Sequence, residues 1–182
     1  MLKKILILLL LSSLFSCGFQ VLYKEDASEN KEKDFSYENE LAAIRIKKNR
    51  TKLDQDLKNN LYDLLNPNFI EAEPKYFLSL ITSKTTASTF TSSTGASGRN
   101  RVFLSVSYEL RDLKNGDLIS EGSVTRNDNY DVTQNRYATY SADEYVMLNL
   151  TKIVAQNIRD SLVNDLIELR KKQEEEKTKV KD

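Results

Sequence analysis

Few side chains in this 182-residue sequence have the types and spacing for covalent chemistry. There is one cysteine, Cys17, and there is no histidine. Without an imidazole, neither a serine nor a cysteine can be activated by the usual histidine base, and the commonest zinc and iron ligand is missing. The carboxylates of Glu25, Asp26, Glu38 and Glu40 fall in a polar stretch where no pocket would raise a pKa for acid–base work. Gly95 and Gly98 lack the spacing of a phosphate loop, and no Gly-Lys-Ser/Thr follows them. With 27 basic and 27 acidic residues the chain has no net charge, which argues against a nucleic-acid partner. The expectation is a protein that is not an enzyme and holds no cofactor or metal. What remains is the chemistry of one thiol.

That thiol has a telling context. Lys3 and Lys4 precede an apolar run from Ile5 to Leu11, and serines then alternate with Leu14 and Phe15 up to Cys17. About a dozen apolar residues are too few to cross a bilayer, which takes about 20. A basic start, a short apolar run and small residues describe a secretory signal peptide over residues 1–16. Leu14-Phe15-Ser16-Cys17-Gly18 resembles the bacterial lipobox, in which the cysteine is acylated and becomes the mature N-terminus. Phe15 is larger than the residue usual at its position. Acyl chains contribute about 0.8 kcal/mol per buried methylene, so several on Cys17 would form a stable membrane anchor. Gly18, where aspartate would signal inner-membrane retention, points to the outer membrane and its periplasmic side.

The elements behind the anchor follow from hydrophobic periodicity. Residues 17–40 read as a lipidated N-terminus and polar tether, since Lys24 to Glu40 offers too little apolar surface to order itself. Leu41 to Ile46 reads as a short strand. Thr51 and Asp54 form a capping pair, and Leu53, Leu57, Leu61 and Leu64 then share one helix face until Asn66-Pro67 ends it. Tyr76, Leu78 and Leu80 begin a strand that continues into the serine- and threonine-rich stretch Thr82 to Thr94. A turn is expected at Gly95 to Gly98. Val102, Leu104, Val106, Tyr108 and Leu110 alternate with polar neighbours, and Lys114-Asn115-Gly116 follows as a hairpin loop. A three-residue loop sets Val106, Tyr108 and Leu110 opposite Val124, Gly122 and Ser120, keeping Val124 on the buried side, and it puts Gly116 in the left-handed position. The fourth strand ends at Arg126, and Asn127 to Tyr140 reads as loop. Ser141 and Glu144 form a capping box for a helix of roughly 28 residues, with Tyr145, Leu148, Ala155, Ile158, Leu162, Leu166 and Leu169 on one side. A charged tail, residues 170–182, extends or frays that helix.

The order β-α-β-β-β-α gives an α+β domain over residues 41–169. Two amphipathic helices pack on one face of a four-stranded, mostly antiparallel sheet, and the other face stays polar.

Several stretches, in this order, resemble the lipopolysaccharide-assembly lipoprotein family, LptE. They are CGFQVLY at Cys17, LDQDLKNNLYDLLNP, TASTFTSSTGASGRNRVFLSVSYELRD and SADEYVMLNLTKIVAQNIRDSLVNDL. Val21 stands where alphaproteobacterial members usually have proline. The resemblance implies two helices on a four-stranded sheet, and an outer-membrane lipoprotein that plugs the lumen of a large β-barrel, LptD. Together the pair would insert lipopolysaccharide into the outer leaflet. It also implies lipopolysaccharide binding by basic side chains. Phosphate favours the planar fork of arginine, which makes Arg99, Arg101, Arg126 and Arg136 the candidates. Arg45, Lys47, Lys48 and Arg50 lie at a strand-to-helix junction and read as solvated or helix-contacting. Thr89, Thr91 and Ser107 are candidate contacts to the barrel, whose interior is polar. The alternative is another outer-membrane lipoprotein, acting as a structural or chaperone module in envelope or barrel assembly.

Overall fold

The computed structural model describes residues 37–47, 51–91 and 97–179. Its elements in chain order are α1 (Tyr37–Ala42), β1 (Ile44–Ile46), α2 (Lys52–Leu65), β2 (Tyr76–Thr91), β3 (Ser97–Asp112), β4 (Leu118–Asp131) and α3 (Arg136–Lys179). The strands lie in one sheet in the order β1-β2-β3-β4. β1 pairs with β2 in parallel, while β2–β3 and β3–β4 are antiparallel. Parallel neighbours need a crossover between them, and α2 is that crossover. The expected α+β arrangement holds, with one additional helix. The stretch expected to open with a strand at Leu41 begins instead with six helical residues, drawn partly from the tether. Leu41, Ala42 and Ala43 are all buried in succession, which a strand exposing alternate residues cannot do. Only Ile44 and Ile46, alternating about Arg45, behave as strand.

α2 starts where its capping pair predicts. The Thr51 side chain accepts from the Asp54 backbone N–H at 3.1 Å, and the Asp54 carboxylate accepts from the Thr51 N–H at 3.3 Å. Leu57, Leu61 and Leu65 are buried, with Leu53 and Leu64 packed at the edge of the core. The hairpin also follows the sequence reading. Val106, Tyr108 and Leu110 face Val124, Gly122 and Ser120, the register shifts after Leu110, and Gly116 has φ +77°. Tyr108 lies across Gly122, where a Cβ would meet the phenol at 2.6 Å from Oη and 2.8 Å from Cζ. Because Tyr108 is itself buried, Gly122→Ala is expected to cost about 1–3 kcal/mol through overpacking. Urea unfolding measures this, and a midpoint equal to the parent's would mean that the ring has room to swing aside.

The fourth strand and the last helix depart from expectation. β4 runs to Asp131 rather than stopping at Arg126, because its polar half is held by cross-strand side-chain pairs and needs no apolar alternation. α3 starts at Arg136, not at Ser141. The Asn135 carboxamide oxygen accepts from the backbone N–H groups of Tyr137 (3.0 Å) and Ala138 (3.3 Å), as an N-cap does. Ser141 and Glu144 thus sit inside the helix, and the charged stretch continues it to Lys179. Ser97 and Gly98, expected in a turn, already belong to β3; the rest of that turn and Thr94 lie outside the described residues.

The buried stripe of α3 is also not the straight one expected. Val146, Leu150, Val154, Ile158, Leu162 and Leu166 are buried at a strict four-residue repeat. Each four-residue step overshoots a full turn by roughly 40°, so the seam winds around the helix as it follows the twisted sheet. Tyr145 and Leu148, assigned to the straight stripe, are consequently 67% and 44% exposed. α2 and α3 cover the same face of the sheet, α3 over β3 and β4 and α2 beside it. The buried residues of both helices and the sheet form one core.

Candidate functional site

The face of the sheet turned away from both helices is set by the pleat. On β3 the buried residues Val102, Leu104, Val106, Tyr108 and Leu110 point to the helices, so Arg101, Phe103, Ser105, Ser107 and Glu109 point the other way. The strand pairings extend that parity across three strands. Ser83, Ser105 and Thr125 form one row, and Ile81, Ser107 and Ser123 form the next. The hydroxyls of Ser105 and Thr125 are 2.9 Å apart and share a hydrogen bond. Hydroxyl rows of this kind offer both donors and acceptors to a facing surface. Ile81, 74% exposed, is an apolar point among them.

Charges border this hydroxyl field at its two ends. At one end Glu109 faces Glu121, a like-charge pair, and Arg111 relieves it by donating to Glu109 at 3.0 and 3.2 Å. At the other end the Arg99 Nε donates to Asp131 at 2.8 Å and the Arg101 Nε to the Asn129 side chain at 3.0 Å. The middle is therefore neutral and hydroxyl-rich, and Arg99, Arg101, Glu109 and Arg111 of its border are paired within the chain.

The candidate residues divide in the structure. Arg99 and Arg101 stand two positions apart on the open face, about 7 Å along one strand. Arg126 opposes Leu104 and so lies on the helix side, where its Nη2 donates to Asn157 of α3 at 2.6 Å and its Nη1 to the Thr125 carbonyl at 2.9 Å. Arg136 opens α3 and lines a cleft of about 500 Å³ with Tyr130, Thr133, Gln134, Tyr140 and Asp143. The four arginines are not one cluster; the fold brings only Arg99 and Arg101 together on a single strand face. Ser107 is exposed on the open face. Thr89 is exposed where the β2–β3 register shifts, and its hydroxyl donates to the Arg99 carbonyl at 3.2 Å. The Thr91 backbone pairs with Ser97 at the end of β2. Cys17 lies outside the described residues.

Sequence reasoning did not find a polar cluster that joins three elements. The Lys52 Nζ of α2 lies 2.7 Å from the Glu144 carboxylate of α3, the Tyr140 hydroxyl donates to the same carboxylate at 2.8 Å, and the Lys84 Nζ of β2 lies 2.6 Å from Asp143. These groups line a cleft of about 530 Å³ together with Leu53, Met147 and Leu148. Hydrogen bonds from Lys52 and Tyr140 hold the Glu144 carboxyl below its ordinary pKa, and the bond to Glu144 raises the Lys52 ammonium and the Tyr140 phenol. A depressed carboxylate contributes fully above its unfolded pKa and loses that contribution as pH falls through the folded value. A raised ammonium contributes below its unfolded pKa and loses that as pH rises through the folded value. The Lys52–Glu144–Tyr140 contacts thus favour the folded chain across neutral pH and lose that contribution at both extremes. Its partners are separated by 92 and 59 positions in sequence, so local pattern carries no trace of it.

Among the described residues, no group of three or more Cys, Asp or Glu side chains could hold a metal ion, and no helix is long and apolar enough to cross a membrane. No family model matches the sequence, and no curated protein matches it. Solved structures do. A Caulobacter crescentus CB15 protein, provisionally described as a lipoprotein, is similar with a TM-score of 0.58 at 20% identity, over 70% of this chain and 93% of that one. Rare lipoprotein B from Shewanella oneidensis is similar with a TM-score of 0.54 at 13% identity, over 70% and 96%. A minor lipoprotein from Acinetobacter baumannii is similar with a TM-score of 0.50 at 16% identity, over 67% and 89%. At these identities the likeness is one of fold: this chain has the two-layer α+β fold found in three proteins described as lipoproteins.

Proposed function

We propose that this chain is a lipid-anchored protein of the outer membrane, held at the periplasmic side through Cys17. There its sheet docks inside a large β-barrel of the LptD type and supports assembly of lipopolysaccharide at the outer leaflet. The observation that carries this reading is the open sheet face. Its centre is hydroxyl-rich and uncharged, it is backed by an apolar core, and the chain's own helices leave it uncovered. Antiparallel sheets commonly leave one face to water, so a polar face alone is ordinary. What favours a barrel is that rows of uncharged hydroxyls span three strands, where the polar lumen of a large barrel would supply groups to match them. The lipobox-like sequence and the fold shared with proteins described as lipoproteins support the anchor. In this reading Arg99 and Arg101, side by side on the open face, are the better candidates for lipopolysaccharide phosphates. Arg126 is engaged with α3 on the other side.

The test is co-expression with the barrel and purification through a tag on the barrel. This chain should come along in a one-to-one ratio, and photo-crosslinkers at Thr89, Thr91 and Ser107 should capture the barrel wall. Crosslinks found only in residues 17–40, or none to any barrel, would favour a lipoprotein that acts as a structural or chaperone module elsewhere in envelope assembly.

A further inference from the structure

The turn that follows α2 presents an aromatic ring where the physics of the backbone favours glycine. Asn66 to Phe69 form a turn closed by the Phe69 N–H donating to the Asn66 carbonyl at 3.3 Å, with Pro67 at its second position. The residue closing such a turn often turns left-handed, a position that suits glycine. Here it is Phe69, with φ +51°, and its side chain is 86% exposed. A bulky residue with positive φ is strained, and the ring gains no burial in return.

The strained turn is firmly held. The Asn66 side chain accepts from the Ile70 N–H at 2.8 Å and donates to the Ile70 carbonyl at 3.0 Å. Arg45 bridges the segment to α1, donating to the carbonyls of Ala42 and Ala72, each at 2.7 Å. Asn68 donates to Glu38 in the first turn of α1 at 3.3 Å. Phe69 therefore sits next to a residue bonded to the first turn of α1. Tyr37 stands twenty positions after Cys17, a length of chain that reaches at most about 70 Å.

We infer that Phe69 is a bilayer-contacting side chain, which docks the end of the domain where the tether enters onto the phospholipid surface that holds the anchor. The inference rests on the anchored reading of Cys17. One aromatic ring partitions weakly alone, but a tether turns that contact into an intramolecular one. From Asn66 to Pro74 the segment carries exposed Glu71 and Glu73 and no cation, so the contact fits an uncharged, zwitterionic surface and gains nothing from anionic headgroups.

The chain contains no tryptophan, so Phe69→Trp introduces a single fluorescent reporter at the site. The full chain carrying it is attached to phosphatidylcholine vesicles in two ways: through its own acylated Cys17, and through a polyhistidine tag replacing Cys17 on nickel-chelating lipid. On attachment, the indole emission of the Phe69→Trp variant should shift to the blue and be lost to brominated phosphatidylcholine. A Tyr145→Trp reporter, on α3 beside the cleft that Lys52 and Leu53 line at the start of α2, should show neither change. Attachment without the shift and quenching at residue 69 would overturn the proposal, and so would equal quenching at residue 145. Quenching in the tagged form with no retention of the untagged chain would support the surface and sink the anchor instead. Phe69→Asn tests the strain independently of vesicles, since asparagine tolerates the left-handed conformation. Its thermal midpoint should rise; a fall would show that the ring serves the fold and would overturn the assignment.

Discussion

Leu162→Ala is expected to destabilise the domain by about 2–5 kcal/mol, while deletion of residues 170–182 leaves stability close to the parent's. Leu162 has no solvent exposure and occupies the winding seam between Ile158 and Leu166, within the core that the helices and the sheet share. Truncating it removes three heavy atoms from close packing and leaves a void that the two layers cannot both move to fill. Residues 170–179 of the deleted segment are helical, but Lys171, Lys172, Gln173, Glu175 and Lys177 are exposed, so the deletion uncovers little apolar surface. Urea unfolding distinguishes the two: the midpoint falls for Leu162→Ala at unchanged slope, and stays for the truncation. Comparable losses would mean that the charged end of α3 packs against something the seam does not include.

The same helix shows where sequence is legible and where it is not. Amphipathicity announces that α3 exists, because apolar residues recur at helical spacing. It does not announce which residues meet the sheet, because a four-residue repeat rotates the seam and a straight wheel then misplaces Tyr145 and Leu148. The capping box at Ser141 misled for a related reason. A serine and a glutamate three apart satisfy the motif anywhere in a helix, and only the Asn135 side chain marks the true start. By contrast, Gly116 and the alternation on both sides of it determine the hairpin register completely, since a slip of one residue would turn every core side chain outward.

The candidate site is legible to the extent that strand parity reaches it. Extending the register from Val124 places Arg126 on the helix side and Asn127, Asn129 and Asp131 on the open side. The polar half of β4 hid this, because it lacks the apolar alternation by which strands are recognised. Parity also puts Arg99 with Arg101. Nothing local foretells the Lys52–Glu144 and Lys84–Asp143 pairs, whose members meet only once α2, β2 and α3 are assembled. Phe69 is opaque for the opposite reason: a single aromatic after a proline turn looks like an ordinary staple to the core, and its exposure depends on a backbone angle that sequence does not display.

Cys17→Ser is expected to produce an all-or-none loss of lipid attachment. The acyl acceptor in this chemistry is a thiolate, a far better nucleophile near neutral pH than a serine hydroxyl. The chain has no second cysteine to substitute for it. Metabolic labelling with radioactive palmitate should mark the parent and leave the variant unlabelled, with the precursor uncleaved after Ser16 or the protein found away from the membrane. Label kept by the variant would sink the lipobox reading outright. The variant also separates the two attachments proposed for the parent. Each acyl chain contributes about 0.8 kcal/mol per methylene buried in lipid, a total that a lone exposed phenylalanine cannot replace. A Cys17→Ser protein produced without residues 1–16 should therefore leave the bilayer even with Phe69 intact. Supplied as a soluble domain to the barrel, it should still co-purify, because the sheet face that would dock there contains nothing derived from the anchor. Loss of both attachments together would place the barrel contact in the lipidated N-terminus rather than on the strands.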